Sequence, residues 1–221
     1  MGAPLAKAFL PLGGQPMLVH SLRTISQADG VTSIVLVVAA DEIQRATQVV
    51  ATSTPWQVPI ELTPGGTERQ DSVAAGLAAI PRASDLVLVH DAARPFVSTT
   101  CVNACVAAAQ ATGAAIVAVP ANDTVKVVGE EGTIARTLDR RTIWLAQTPQ
   151  VFRTPLLREA YNRARRDGYA ATDDAALVER LGVPVRIIEG DARNRKITTA
   201  EDLSWAEWVL RTQRASTPTP R

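Results

Sequence analysis

Apolar, β-branched runs alternate with stretches of helical periodicity along most of the chain. From Ser33 to Ala39 the run SIVLVVA has no polar position after its first residue, which predicts a strand buried on both faces. DEIQRATQVVA then places its apolar residues at helical spacing, with Asp41 as the expected N-cap. VPIELT and DLVLVH predict strands on either side of a helix, RQDSVAAGLAAI. TTCVNACVAAAQAT predicts a further helix and GAAIVAVP a further strand. Later in the chain TPLLREAYNRARRDG and TDDAALVERLG predict helices, VPVRIIEG a strand, and TAEDLSWAEWVLRTQ a final amphipathic helix.

Strands apolar on both faces and separated by helices predict an α/β domain, with a mostly parallel twisted sheet and helices on both faces. Ligands of such sheets bind beyond the carboxyl ends of the strands. The rhythm breaks once, in NDTVKVVGEEGTIARTLDRRTIW. TVKVV and TIARTL, joined by GEEG, predict a projecting β-hairpin arm at about 122–143. An isolated ribbon is marginal in water, so the arm is expected to pack either on its own domain or on a second copy of the chain. No linker interrupts the pattern, and one domain over 1–213 is expected, with the polar RASTPTPR as a disordered tail over 214–221. The opening MGAPLAKAFLPLGGQPMLVH reads as a Gly/Pro-punctuated loop carrying Lys7, with no strand before it.

Charge and composition narrow the picture. A formal net charge of +1 on 221 residues gives no bulk attraction for nucleic acid or an anionic membrane. A bound anion must be held by a local cluster. No apolar run approaches the roughly 20 residues that span a bilayer, and no basic segment with an apolar core and cleavage site opens the chain. A cytoplasmic protein without nucleic-acid or membrane partners is expected. Cys101 and Cys105 lie four apart in a predicted helix, poor geometry for a disulfide, and His20 and His90 are distant in sequence, so zinc is not expected.

Three stretches carry candidate chemistry. DLVLVHDAARPFV places Asp91 at the carboxyl end of a buried strand, where a carboxylate can hold Mg²⁺ among water and phosphate oxygens. Arg94, three residues on, can pair with a phosphate. TPGGTERQDSV sets a Gly65–Gly66 turn before Arg69, Asp71 and Ser72 at a helix start, where backbone N–H groups attract anions. DARNRKITTAEDL places Lys196 just before the last helix. Each stretch also has a plain reading: an aspartate capping a turn, glycines making one, a solvated lysine.

Taken together and in order, GGTERQDS, VHDAARP, NDTVK, DRRTIW, QTPQVF, ATDDAALVE and NRKITTAEDL resemble the 2-C-methyl-D-erythritol 4-phosphate cytidylyltransferases, from Lys7 to about Leu210. Ribitol-5-phosphate cytidylyltransferases share most of these motifs. The resemblance implies a Rossmann-like nucleotidyltransferase fold, CTP and a polyol phosphate as substrates, Mg²⁺ as divalent cofactor, and a homodimer formed through the arm. It implies Lys7, Lys196 and Asp91 as catalytic residues, with Asp91 also on the metal. It further implies Gly66, Arg69 and Ser72 on CTP, and Arg94, Thr124, Arg140, Thr148 and Thr172 at the polyol-phosphate site. A ribitol-phosphate enzyme and an inactive dimeric homologue stand as alternatives.

Family members open with a strand and a loop of the form P-A-A-G-x-G-x-R-M-G, followed by P-K-Q. Met1 and Gly2 match the M-G, Lys7 matches the lysine, and Ala6 and Ala8 replace its neighbours. The strand, the glycine loop and its arginine are not in this sequence, which is expected to start at an internal methionine of a longer product. Without a central strand, two sheet edges and a strip of core are expected to lie open.

Overall fold

The computed structural model describes residues 7–53 and 55–216. Met1–Ala6, where the M-G match falls, and most of the expected tail lie outside the described residues. A tight hairpin comes first: β1 (Pro11–Leu12) pairs with β2 (Gln15–Pro16) across Gly13 and Gly14, both at positive φ, where other residues are strained. It leads into α1 (Met17–Ser26), which buries Met17, Leu18, Val19, Leu22 and Ile25. The Gly/Pro-rich approach masks this helix in the sequence.

β3 (Ile34–Val38) runs parallel to β4 (Ile60–Pro64), with α2 (Ile43–Thr52) between them in the chain. Asp41 does not cap α2: it lies in a 3-10 turn, Ala40–Glu42, and the N-cap position falls to Glu42, whose side chain makes no cap bond. Next come α3 (Arg69–Ala79), β5 (Leu86–Val89) and α4 (Thr99–Thr112). Ser98 caps α4 by accepting from Cys101 N–H, and Gly113 ends it in the left-handed conformation. β6 (Ala114–Pro120) follows, then the arm: β7 (Lys126–Val128) antiparallel to β8 (Ile134–Thr137). The remaining elements are β9 (Trp144–Arg153), α5 (Thr154–Asp167), α6 (Asp174–Glu179), β10 (Arg186–Glu189) and α7 (Ala200–Ser216). The last helix extends three residues past the expected domain end at 213.

Four strands form one sheet in the order β10-β6-β9-β5. β10 is parallel to β6, while β9 runs antiparallel to both β6 and β5. Three strands therefore share one direction and β9 opposes them. The pleat sorts the core between two faces. Ala114, Ile116, Phe152, Val87 and Val89 pack with α5 and α6 on one face, and Ala115, Val117, Val151, Leu86 and Leu88 pack with α4 on the other.

β5 ends this sheet, and β3 ends its own pair, so among the described residues each has one unpaired edge. A cavity of about 570 Å³ opens between them, lined by Val35, Val37, Leu86, Leu88 and, from α3, Gly76 and Leu77. Among the described residues these two edges flank the cavity. Amide hydrogen exchange should be at least about 100-fold faster in β3 and β5 than in β6 and β9, which are paired on both sides. Equal protection across the four strands would show that something covers the edges.

Candidate active site

The carboxyl end of β5 is set by a relay of three hydrogen bonds. Asp91 N–H donates to Thr148 Oγ1 at 3.0 Å, so the threonine hydroxyl is left to donate to His90 Nδ1, also at 3.0 Å. His90 Nε2–H then donates to the Arg94 carbonyl at 3.2 Å. A turn bond from Arg94 N–H to the Asp91 carbonyl, 2.9 Å, closes the loop. Burial of His90 disfavours its charged form and lowers its pKa to about 4. The imidazole is thus a neutral structural post, and Thr148, on β9, ties the loop to the neighbouring strand.

Three cations converge on Asp91. Lys196 Nζ stands 3.0 Å from Oδ2, Arg94 Nε 3.7 Å from the same oxygen, and Arg69 Nε 3.6 Å from Oδ1. Burial pushes the Asp91 carboxyl toward protonation; the charges of Lys196, Arg69 and Arg94 outweigh it and hold the group below the ordinary carboxylate range. Arg94 donates from Nη1 to the Asn194 carbonyl at 2.8 Å, while its Nε is buried without a hydrogen-bond partner among the described residues.

Lys196 reaches Asp91 because its loop is stitched down on both sides. Asn194 is buried and donates from Nδ2 to Gln147 Oε1 at 3.0 Å and to the Thr148 carbonyl at 2.9 Å. Gln147 Nε2 donates to the Asp191 carbonyl at 3.1 Å, and Ile197 N–H donates to the Ala93 carbonyl at 2.8 Å. At Gly190 an added Cβ would fall 2.5 Å from Val117 and 2.7 Å from Gln147 Oε1, so only glycine lets the loop leave β10 this closely.

On the opposite side, the Gly65–Gly66 turn folds against the first turn of α3. A Cβ on Gly65 would meet Ser72 Oγ at 2.6 Å, and one on Gly66 would meet Asp71 Cβ at 2.4 Å. The helix start is less open to an anion than its position suggests. Glu68 and Asp71 form a capping box, so the protein's own carboxylates already satisfy donors there. Arg69, the first residue of α3, instead projects its guanidinium to Asp174 Oδ2 at 2.7 Å and toward Asp91. Burial opposes the Arg69 charge, yet Asp174 and Asp91 raise its pKa above the ordinary arginine value.

A second cavity of about 270 Å³ gathers Arg69, Asp91, Arg94, Thr148, Thr172 and Lys196. Ser72 lines the larger cavity between β3 and β5, which also reaches Arg69 and Asp91. Lys7 is exposed in a turn, Lys7–Phe9, and lines neither cavity; Gly66 is exposed and lines neither. Thr124 and Arg140 are exposed on the arm, away from both, with Arg140 Nη1 donating to the Asn122 carbonyl. Gln147, Gln150, Tyr161, Asp174 and Asn194 support the cluster without having been singled out from the sequence. All but Tyr161 fall inside QTPQVF, ATDDAALVE or NRKITTAEDL, polar residues at positions that turn out to be buried.

His90 makes stability depend on pH. The unfolded chain binds its proton near the ordinary 6.5 and the folded chain only near 4, so between those values the unfolded state holds more protons and stability falls as pH falls. Urea unfolding should show about 2 kcal/mol lost between pH 8 and pH 5 from this group. His90→Asn should remove most of that slope; a slope that survives the substitution assigns it to another group.

The model of the family described as "IspD: 2-C-methyl-D-erythritol 4-phosphate cytidylyltransferase" matches residues 1–212. A protein of that name from Pelotomaculum thermopropionicum is 46% identical over 211 residues, 96% of this chain and 89% of the relative. Another from Geobacillus kaustophilus is 46% identical over 97% of this chain and 93% of its own. Among solved structures, 4-diphosphocytidyl-2C-methyl-D-erythritol synthase from Anaerococcus prevotii superposes with a TM-score of 0.86 at 30% identity, covering 92% of this chain and 93% of that one. The 2-C-methyl-D-erythritol 4-phosphate cytidylyltransferase from Thermus thermophilus gives 0.78 at 39% identity, covering 95% of each chain. The chain belongs to the 2-C-methyl-D-erythritol 4-phosphate cytidylyltransferase family.

Proposed function

We propose that this protein transfers the cytidylyl group of CTP to 2-C-methyl-D-erythritol 4-phosphate and releases pyrophosphate, a step of isoprenoid biosynthesis. The carrying observation is the single ionised Asp91 ringed by Lys196, Arg69 and Arg94 at the carboxyl end of β5. A phosphate oxygen of the acceptor attacks the α-phosphorus of CTP. A P–O bond forms there while the bond to the bridging oxygen of the β-phosphate breaks, and its electron pair leaves on pyrophosphate. Both reactants are anions, so the work lies in positioning and in neutralising charge.

The residues fit that demand. Lys196 supplies a cation at the mouth of the cluster; Lys7, exposed and lining neither cavity, is assigned to the same α-phosphate on its place in the family motif alone. Arg94, whose buried Nε has only the 3.7 Å ion pair with Asp91 and no hydrogen bond among the described residues, is assigned to the acceptor phosphate, with Thr172 lining the same cavity. Gly66, Arg69 and Ser72 are assigned to the cytosine and ribose of CTP. Thr148 acts by holding Asp91, since its hydroxyl is already engaged. The nearest basic imidazole, His90, is buried and neutral, in keeping with direct displacement by the substrate's own oxygen.

A divalent cation suits this cluster. Among the described residues the one ion pair at Asp91 Oδ1 is long, 3.6 Å, leaving an acidic oxygen for a metal. Mg²⁺ takes one or two carboxylates and completes its shell with water and phosphate oxygens; among the described residues no group of three or more acidic, histidine or cysteine side chains that could hold a metal occurs. Asp91 would hold it, and the bound metal would neutralise phosphate charge.

The arm points to a homodimer. Val128 and Ile134 on the arm, and Trp144 and Leu145 at the start of β9, are exposed apolar side chains, the composition of an interaction surface. In that dimer Thr124 and Arg140 serve the partner's site. No helix of the described residues is long and apolar enough to cross a membrane.

Pyrophosphate release should occur with CTP and 2-C-methyl-D-erythritol 4-phosphate at a higher kcat/KM than with ribitol 5-phosphate; the reverse order would reassign the acceptor. Lys196→Ala should lower kcat about 100-fold, roughly 3 kcal/mol of lost charge stabilisation, with the circular dichroism spectrum retained. Unchanged turnover would remove Lys196 from the mechanism. EDTA should abolish turnover and added Mg²⁺ restore it, whereas full activity in EDTA would take Asp91 off a metal.

A further inference from the structure

Behind the cluster stands a second acid with no part in the chemistry above. Asp174, the first residue of α6, is completely buried. A buried carboxylate is costly unless paired and hydrogen-bonded, and Asp174 is both. Its Oδ2 accepts from Arg69 Nη2 at 2.7 Å and its Oδ1 accepts from the Tyr161 hydroxyl. The backbone N–H groups of Asp174 and Ala175 both donate to Gln150 Oε1 at 3.1 Å. Gln150 Nε2 in turn donates to Asp173 Oδ2 at 2.8 Å, and the other oxygen of Asp173 caps α6 by accepting from Ala176 N–H. The carboxylate is therefore fixed from β9, α5 and α6 together, and Phe152, Leu157, Ala160 and Leu177 of these elements pack in one core cluster.

Arg69 has two acids within reach and is hydrogen-bonded to one. The 2.7 Å contact with Asp174 is a full hydrogen bond, whereas 3.6 Å to Asp91 lies beyond the roughly 2.7–3.2 Å range of N–H···O bonds. Its neighbour Gln70 donates to the Tyr169 carbonyl at 3.2 Å and accepts from Ala171 N–H at 3.0 Å. The first turn of α3 is thus joined to the turn carrying Thr172 at two points and to the start of α6 at a third.

We propose that Asp174 is a positioning residue for the cytidylyl transfer: its buried charge draws the Arg69 guanidinium away from Asp91 and fixes it between the nucleotide loop and the Thr172 turn. Held there, Arg69 keeps its remaining N–H groups for CTP, and Asp91 keeps an oxygen that Arg69 would otherwise take. Without that charge the nearest acid to Arg69 is Asp91, and the guanidinium closes on it. The inference rests on the proposed assignment of Arg69 to CTP.

Asp174→Asn keeps the shape and the acceptor for Tyr161 and removes the charge. In this variant the Nε–H resonance of Arg69 should move in an ¹⁵N-edited NMR spectrum, and calorimetric CTP binding should weaken about tenfold. In an Arg69→Ala background the same substitution should cause no further loss. An equal loss in both backgrounds, or an Arg69 resonance that stays in place, would overturn the proposal. Should Asp174→Asn fail to fold, Tyr161→Phe keeps the charge and frees one oxygen; the resonance should then shift less, with CTP binding about threefold weaker, and no shift would count against the idea. Absence of CTP binding by the unsubstituted protein would sink the assignment of Arg69 to CTP, while the resonance reads the positioning separately.

Discussion

The position of Asp91 governs the rest of the site. Arg69 comes from the start of α3, Arg94 from the turn after β5, and Lys196 from the loop before α7, and no two of these segments adjoin in the chain. Three cations brought this close repel one another, and the energy of gathering them is offset by one shared anion. That anion must itself stay charged while largely withdrawn from water. The backbone meets this by pinning the Asp91 amide to Thr148 and by making His90 a neutral prop, so the loop carries no additional positive group beneath it.

Much of this architecture could be read from the sequence, for a simple reason. β3, β5 and β6 are apolar on both faces, and α4 and α5 end in glycines that adopt the left-handed conformation. β9 escaped because Gln147, Thr148, Pro149 and Gln150 interrupt the apolar pattern in the middle of a fully buried stretch. Those residues are polar because each side chain except proline has a fixed partner in the site: Asn194, His90 and Asp91, or Asp173 and the start of α6. A strand that carries the support of an active site thus disguises itself as a loop.

The same limit applies to single residues. Asp91, Arg94, Arg69 and Lys196 were legible from motif order, and the structure brings them together. Thr148 was legible as important but not as a brace for the aspartate, because that role depends on a neighbour 57 residues away. Asp174 has its partner 105 residues away, and nothing in ATDDAALVE distinguishes the acid that caps α6 from the one that meets Arg69. Spacing along a chain identifies residue types and order; only the fold decides which of two adjacent aspartates is buried.

Among the described residues β3 and β5 each present an unpaired edge, and the consequence reaches beyond the single molecule. Exposed sheet edges are ordinarily guarded by charges, prolines or bulges, yet IVLVV and LVLV contain none of these. Short, uncharged, β-branched segments of this kind are templates for pairing with any other extended chain. Strand addition at such an edge would be a bimolecular step, with a rate that climbs with protein concentration.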